Sequence, residues 1–297
     1  MEMMLQTQNL CKYFRKQKAV NNVSLNIEKE RLKHPMVIDV HAHIYPDNIA
    51  EKAAMNIGYF YDKHMTNPNG SVKRLLEIGD RAGVDKFVVH SAATTPHQVK
   101  SINNFIKASV LAHPDRFVGL CTIHPGMEDP IAELERAESL GLKGIKLHPD
   151  FQKFAITDSS MGPIYDFCQA TGYPILFHTG DYRYHYSNPC LIPRLLESFP
   201  RLRLICAHFG GWTEWEEAEK YIPGTNAMVD CSSCFFTMTD ERIMEFMNMY
   251  GEDRIMFGSD YPMWDAGTEL ARLRSLPLSK TALEKIQYKN AAEFLSL

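Results

Sequence analysis

Histidine and aspartate residues occur in five short motifs whose side chains suit metal-assisted chemistry. The motifs are Asp39-Val40-His41-Ala42-His43, Lys146-Leu147-His148-Pro149, Phe177-His178-Thr179-Gly180, Ala207-His208-Phe209-Gly210 and Gly258-Ser259-Asp260-Tyr261. Imidazole and carboxylate groups together suit Zn²⁺ and also Mn, Fe or Co ions. Three histidines and one aspartate around such an ion would leave a position for water, whose pKa the ion lowers from near 16 to about 7. These residue types therefore predict hydroxide formed on a metal at neutral pH.

Each motif follows a short run of β-branched or aromatic residues, and these runs alternate with amphipathic stretches. Strands that alternate with helices predict right-handed βαβ units, and eight such units close as a (β/α)8 TIM barrel. No Gly-x-Gly-x-x-Gly follows the first strand, so the main sign of a dinucleotide-binding fold is missing. The predicted strands are Val37–Val40, Lys86–Val89, Phe117–Thr122, Gly144–Leu147, Pro174–Phe177, Arg203–Ala207, Ala227–Asp230 and Arg254–Phe257. The predicted helices are Val72–Ala82, Gln98–Ala112, Ile131–Leu140, Ile164–Thr171, Ile192–Phe199 and a final one near Thr281–Leu295.

A barrel would bring the chemical motifs together at the C-terminal ends of its strands. His41 and His43 are two residues apart, so both side chains point to one face of an extended strand, which in a barrel is the inside. A single histidine there is more often a hydrogen-bonded polar residue than a ligand. Four histidines and an aspartate on four strands, buried without partners, would cost a few kcal/mol each. The clustering therefore predicts a metal site.

The same motifs resemble those of the amidohydrolase superfamily, in its amidohydrolase-related branch that includes aminocarboxymuconate-semialdehyde decarboxylase. The matching stretches are DVHAHIYP, GIKLHP, ILFHTGD, AHFGG and FGSDYP, in the family's order over residues 37–297. The resemblance implies that one divalent ion, zinc being the expected one, is bound by His41, His43, His178 and Asp260. It also implies that His208 is a nearby base or oxyanion-side residue, and that Asp260 can deprotonate the water.

Three further residues are candidates for supporting the site or binding substrate. Lys146 alternates in phase with His148, so both could face inward. In binuclear amidohydrolases a carbamylated lysine on this strand bridges two metals; support of the site, an acidic substrate group or a buried salt bridge are the alternatives. Arg183 lies on a polar, aromatic-rich loop with Tyr184 and His185, and it could bind a carboxylate in bidentate fashion or remain solvated.

Residues 1–35 are predicted to form a separate extension, with the barrel domain at 36–297. They hold seven Lys/Arg against three Asp/Glu, whereas the whole chain has a net charge of −4. Two β-like runs, Met3–Gln8 and Ala19–Ile27, predict a hairpin that resembles the opening hairpin of ABC-transporter ATPase domains. The resemblance rests on Asn9-Leu10, Lys12, Phe14, Ala19-Val20 and Val23-Ser24-Leu25-Asn26-Ile27. No phosphate-binding loop occurs in the chain, so we expect no ATPase activity.

Composition restricts the class of protein further. The 297 residues are 45% hydrophobic and 23% charged, the balance of an ordinary globular enzyme. A negative net charge argues against a nucleic-acid partner. Seven scattered cysteines, no signal peptide and no membrane-length apolar run predict a cytoplasmic protein with a small-molecule substrate. Whether it is a homo-oligomer stays open.

The leading functional prediction is hydrolysis of a small amide, ester or lactone by a metal-activated water, with His208 and Asp260 moving protons. The first alternative is non-oxidative decarboxylation of a small unsaturated or aromatic carboxylic acid, because the same ligands serve both reactions in the resembled branch. The second alternative is a catalytically inactive binding module. The substrate itself is not predicted.

Overall fold

A computed structural model describes residues 3–14, 17–28 and 35–297 of this protein. The chain divides into two units, Met1–Met36 and Val37–Leu297. The first contains an antiparallel pair, β1 (Met3–Phe14) and β2 (Gln17–Glu28), with a register that shifts several times along its length. Both predicted β-like runs fall inside these strands.

The second unit is a closed parallel barrel of eight strands, as predicted. Two parallel ladders, β3-β4-β5 and β6-β7-β8-β9-β10, are joined by backbone hydrogen bonds at both seams. Cys121 N donates to Gly144 O at 2.8 Å, and Val40 N donates to Phe257 O at 2.9 Å. The strands are β3 (Ile38–His43), β4 (Lys86–His90), β5 (Phe117–Gly119), β6 (Ile145–Leu147), β7 (Ile175–Phe177), β8 (Leu204–Cys206), β9 (Met228–Asp230) and β10 (Ile255–Met256).

Helices surround the barrel and follow the predicted positions closely. Helix α2 has the predicted bounds: Ser71 accepts a hydrogen bond from Arg74 N at its start, and Gly83, with φ of 73°, ends it. The helices are α1 (Ala50–Tyr61), α2 (Val72–Ala82), α3 (Val99–Ala112), α4 (Pro130–Ser139), α5 (Pro149–Gln152), α6 (Gly162–Thr171), α7 (Leu191–Ser198), α8 (Trp215–Tyr221), α9 (Asp240–Tyr250), α10 (Ala266–Ser275), α11 (Lys280–Glu284) and α12 (Asn290–Leu295). Sequence analysis did not predict α1, which follows β3, nor α5, α8, α9 and α10. Within the described residues, no helix is long and apolar enough to cross a bilayer.

The barrel interior is apolar at one end and polar at the other. Alternate strand residues such as Val88, Leu176 and Ile205 form one buried apolar cluster, to which Ala291 and Leu295 of α12 also belong. Ile38 and Val40 of β3 share this cluster.

An irregularity in β3 changes the phase of that strand before its two histidines. Asp39 pairs with Phe87 and Ala42 with Val89, so β3 uses three residues where β4 uses two. An extra residue of this kind is a β-bulge, which redirects the side chains that follow it. In a regular strand Val40 and His41 would point to opposite faces. Because of the bulge, His41 and His43 face the barrel interior as Val40 does.

Candidate metal centre

All four predicted metal ligands line one small cavity at the C-terminal end of the barrel. This cavity, called the metal cavity below, has a volume of about 20 Å³, enough for one water-sized group. Its polar lining consists of His41, His43, Tyr61, His148, His178 and Asp260, and its apolar lining of Ile57, Phe151, Pro262 and Met263. Strands that are far apart in the sequence thus contribute side chains to one point, as a barrel requires.

Asp260 lies at the spacing from each of two histidines that coordination of a shared ion demands. Asp260 Oδ1 lies 3.4 Å from His41 Nε2 and 3.6 Å from His43 Nε2. Two donor atoms that each lie about 2.1 Å from a tetrahedral ion are about 3.4 Å apart. Each of these two pairs therefore fits coordination of one ion by both of its atoms.

His178 presents an unpartnered nitrogen, and a chain of hydrogen bonds explains why. The carbonyl of Ser232 can only accept, so His208 Nδ1, at 3.0 Å, must donate to it. The other nitrogen of a neutral His208, Nε2, then accepts a hydrogen bond from His178 Nδ1 at 3.1 Å. His178 Nε2 is left as a lone pair with no hydrogen-bond partner among the described residues. A deprotonated, buried imidazole nitrogen in this cavity has the form a metal requires.

The tautomer of His41 is set in the same way by Asp230. Asp230 Oδ2 lies 2.9 Å from His41 Nδ1, so Nδ1 donates to the carboxylate and Nε2 carries the lone pair. The second oxygen of Asp230 accepts from the backbone N–H groups of His208 and Ser232. Asp230 thereby connects the predicted ligand His41 to the predicted base His208. Sequence analysis missed Asp230, although it is a carboxylate at a strand end like the residues that were chosen.

Lys146 lies inside the barrel next to His41. It is completely buried, and its Nζ is 3.1 Å from His41 Nε2. Burial lowers the pKa of Lys146 to about 8, against the opposing effect of Asp260 and Asp230. Lys146 Nζ therefore competes with an ion for the lone pair of His41. This position agrees with a supporting role and keeps the carbamylated form as an alternative.

Asp260 is held by backbone and side-chain contacts that aim its carboxyl at the cavity. Its backbone N–H donates to His41 O at 2.8 Å, and its Oδ2 accepts from Ser233 Oγ at 2.6 Å. Its φ of 59° is a conformation that few non-glycine residues adopt, which is typical of functional positions. Burial raises the pKa of Asp260 to about 7, with the Ser233 hydrogen bond acting in the opposite direction.

His208 is a neutral imidazole with both nitrogens engaged. Burial lowers its pKa to about 4, although Asp230 counteracts this. Its ring stacks on that of His41 at 5.1 Å between centroids. The hydrogen bond between His208 Nε2 and His178 Nδ1 orients the His178 ring. Proton transfer by His208 stays a prediction, because this hydrogen bond would have to break before Nε2 could accept a proton from substrate or water.

Aromatic side chains from α1 and α5 close the cavity on the side of His178. The ring of His148 stacks on His178 at 4.0 Å and on Phe151 at 3.7 Å. Tyr61 Oη lies 2.6 Å from His148 Nε2. His148 therefore supports His178, in agreement with its predicted place at the site. No feature of the sequence pointed to Tyr61, because the helix that carries it was not predicted.

Arg183 has partners of its own outside the cavity. Its guanidinium forms hydrogen bonds to both oxygens of buried Asp181, at 2.9 and 2.7 Å, and to the carbonyl of Phe60. It also lies 4.6 Å from the centre of the Phe60 ring. These contacts favour a supporting role, in which Arg183 holds the end of α1 over the site, instead of a bidentate grip on substrate.

A protein-family model described as Amidohydrolase matches residues 38–297. The chain belongs to the amidohydrolase family. Family membership and the histidine–aspartate cluster identify a metal-dependent enzyme, against the inactive-module alternative. A curated relative, 2-amino-3-carboxymuconate-6-semialdehyde decarboxylase from Dictyostelium discoideum, is 26% identical, with 66% of each chain covered. The match thus spans just under two thirds of this relative.

Solved structures confirm the barrel fold. An uncharacterised TIM-barrel protein from Bordetella bronchiseptica superposes with a TM-score of 0.73 at 21% identity, covering 88% of this chain and 98% of that one. The 5-carboxyvanillate decarboxylase of Sphingomonas paucimobilis has a TM-score of 0.70 at 16% identity, with 89% and 100% covered. A dihydroxybenzoic acid decarboxylase from Polaromonas, with bound manganese and the inhibitor 2-nitroresorcinol, has a TM-score of 0.67 at 16% identity, with 89% and 98% covered.

Proposed function

We propose that this chain is a metal-dependent, non-oxidative decarboxylase of a small unsaturated or aromatic carboxylic acid. The observation that carries the proposal is the free Nε2 of His178, placed by His208 in a cavity whose walls also include His41, His43 and Asp260. The sequence placed hydrolysis first, but the curated relative supports the decarboxylase alternative better. Hydrolysis of an amide, ester or lactone remains the competing reaction for the same residues.

The proposed ion would be held by His41 Nε2, His43, His178 Nε2 and Asp260. A bound divalent ion of this kind supplies a Lewis acid that holds and polarises a substrate oxygen. Zinc is the expected ion, and manganese is an alternative suggested by the Polaromonas structure. The charge of any ion would also lower the pKa of Asp260 below its metal-free value.

Asp260 is the proposed source of the proton that replaces carbon dioxide. As the bond between the substrate carbon and its carboxylate breaks, the electron pair stays on the substrate carbon and the carboxylate leaves as CO₂. Because Asp260 is ionised beside the ion, it would act as a relay: its carboxylate takes a proton from solvent and passes that proton to the substrate carbon, which returns Asp260 to the carboxylate form. Ser233, at 2.6 Å from Oδ2, keeps the carboxyl oriented during the transfer.

The walls of the metal cavity favour a reaction in which a charged carboxylate leaves as neutral CO₂. Tyr61, Phe151 and the stacked His148 ring shield the cavity from bulk water. A carboxylate placed there loses part of its hydration, whereas the CO₂ that leaves is neutral. Hydrolysis would instead place a water beside the reacting carbon, and the cavity has room for one water-sized group, so isotope labelling, and not the shape of the walls, distinguishes the two reactions.

Isotope labelling of the metal-loaded protein would test this proposal. The substrates are a panel of hydroxybenzoates, amides and lactones with added Zn²⁺ or Mn²⁺. We expect CO₂ release from an acid and one deuterium from D₂O at the vacated carbon. Oxygen-18 from labelled water in the product, without CO₂, would instead establish hydrolysis. His178→Ala is the control, and it should lose bound metal by elemental analysis and at least about 100-fold in activity, more than a substitution outside the ligand set.

A further inference from the structure

A second and much larger cavity, called the side cavity below, lies between α1 and the chain from Ser91 to Phe105. Its volume is about 570 Å³, within the range of about 300–1,000 Å³ that accommodates drug-sized ligands. A single-ring acid would fill only part of it. The cavity therefore has room for a substrate with an additional group.

The side cavity adjoins the metal cavity. His43, Ile57 and Phe151 line both. His43 is a proposed ligand, whereas Ile57 and Phe151 belong to α1 and α5. A molecule whose reacting group lies at the proposed ion can thus extend past these side chains into the larger space.

The walls of the side cavity are mainly apolar. Half-buried Ile57 and Phe60 of α1 face half-buried Ile102 and Phe105 of α3 across it. Burial of such side chains by a ligand is favourable in proportion to the apolar area removed from water. An apolar group of the ligand would gain most from this surface.

Several polar groups in these walls already have partners. Ser91 Oγ donates to Ile44 O at 2.5 Å. Gln98 Oε1 accepts from the backbone N–H groups of Thr94 and Thr95. These hydrogen bonds fix the shape of the wall and leave these groups with less hydrogen-bonding capacity for a ligand.

Positive charge is scarce in the side cavity. Among the described lining residues, Lys153 is the one lysine or arginine, and its side chain is exposed to solvent. Asp150 is buried with Oδ1 unpartnered, and burial raises its pKa to about 7, so this group is neutral or negative and offers no attraction to a carboxylate. A carboxylate carried into this space would lose water without gaining a buried cation.

We propose that the substrate is an aromatic acid with one carboxylate, at the metal cavity, and an apolar arm that lies in the side cavity. The reacting end of this inference rests on the proposed function, whereas the arm rests on the side cavity alone. A second ring or a short branched alkyl chain on the side opposite the carboxylate fits the described walls.

Calorimetric binding to the zinc-loaded full-length chain tests the arm independently of turnover. The three probes are 2-hydroxybenzoate, its 4-phenyl derivative and its 4-carboxy derivative. We expect the phenyl derivative to bind at least about 10-fold more tightly than 2-hydroxybenzoate. The carboxy derivative should bind no better than 2-hydroxybenzoate. Equal affinity of all three, or preference for the dicarboxylate, would overturn the inference.

Two substitutions that fill the side cavity locate the arm. Ile102→Trp acts from α3 and Ala53→Phe from α1, so one variant remains if the other fails to fold. Each should reduce the phenyl-to-unsubstituted affinity ratio to near one. Leu111→Trp is the matched control, because Leu111 is on the same helix as Ile102 but is 66% exposed and outside the cavity. It should leave the ratio unchanged.

The outcomes separate this inference from the proposed function. If the phenyl derivative binds tightly through the side cavity but no acid releases CO₂, the arm site stands and the decarboxylase proposal falls. If small acids release CO₂ while Ile102→Trp and Ala53→Phe leave the affinity ratio unchanged, the inference falls alone. A third outcome is that these variants convert a dimer to a monomer and leave ligand affinity unchanged. That outcome would identify the side cavity as an interface between copies of the chain and would also overturn the inference.

Discussion

The metal cavity and the side cavity lie at the same end of the barrel but are built by different means. The metal cavity is lined mainly by residues at strand ends. Hydrogen bonds such as those that His41 donates to Asp230 and His208 donates to the carbonyl of Ser232 set their orientation. The side cavity is lined largely by α1 and the segment that leads into α3, with apolar side chains that have few directional contacts. Under the two proposals above, the barrel strands supply the reacting groups, and α1 and the segment before α3 select the substrate.

This difference predicts different consequences of mutation. A residue whose hydrogen bond fixes the tautomer of a proposed ligand should affect metal binding and turnover together, because the ion needs that nitrogen deprotonated. A residue that only packs or supports the ligand ring indirectly should affect turnover more than metal binding. A residue in the apolar walls should change which substrate is preferred. The substitutions below test that division, from the largest expected effect to the smallest.

Asp230→Asn should have the largest effect. The amide weakens the hydrogen bond that keeps the proton of His41 on Nδ1, and the loss of such an outer partner typically costs about 10–100-fold in metal affinity or activity. Metal content by elemental analysis and kcat/KM would measure it. Asp80→Asn, at a 68% exposed side chain paired with Arg116, is the matched control. Unchanged metal affinity in Asp230→Asn would show that His41 is oriented by other contacts.

Tyr61→Phe should have a smaller effect, confined to turnover. His148 Nδ1 accepts from Phe151 N, so a neutral His148 donates from Nε2 to Tyr61 Oη. Loss of this bond frees a ring that stacks on His178, and we expect kcat/KM to fall by about 10-fold with metal content unchanged. Tyr173→Phe, which removes a hydroxyl bonded to Leu142 O, is the control. An equal loss in both variants would indicate general destabilisation.

Glu269→Gln tests a buried carboxyl group that lines neither cavity. Burial raises the pKa of Glu269 to about 8. Between about pH 4.5 and pH 8 the folded protein keeps the Glu269 proton, whereas the unfolded chain releases it. The free energy of unfolding is therefore highest, as far as this group is concerned, below about pH 4.5, and it falls as the pH rises to about 8. The variant should gain about 1–3 kcal/mol relative to the original chain at pH 8 and little at pH 4.5. Urea unfolding at both pH values would measure this, and a gain at low pH alone would contradict it.

Removal of residues 1–35 should have the smallest effect. Both cavities are lined, among the described residues, by positions from His41 onward. We therefore propose that 36–297 is the catalytic domain, and we expect unchanged kcat/KM in a chain that starts at Met36. Lost activity with a retained circular dichroism spectrum would show that the extension contributes to the site. ATP hydrolysis by the full chain would contradict the prediction for the extension.

The polar half of the site was largely predictable from sequence, because its signal is local. Strand periodicity and strand-end motifs pointed to His41, His43, His178, His208 and Asp260, and all of these lie at or next to the metal cavity. Asp230 carried the same signal but was passed over as part of a strand. The tautomers of His41 and His178 were not predictable, because they depend on contacts such as that between His178 and His208, 30 residues apart.

The eight-fold alternation of strands and helices, the imidazole and carboxylate groups at strand ends, and the family of the chain are all readable from local sequence patterns. These follow from periodicity and residue type, which adjacent residues reveal. Three other features arise from the packing of distant segments: Arg183 binds Asp181, Tyr61 contacts His148, and apolar residues of α1 and α3 line a partly open cleft of about 570 Å³. The physical reason is that a cavity exists between elements, so its size and lining depend on packing distances that no single segment encodes.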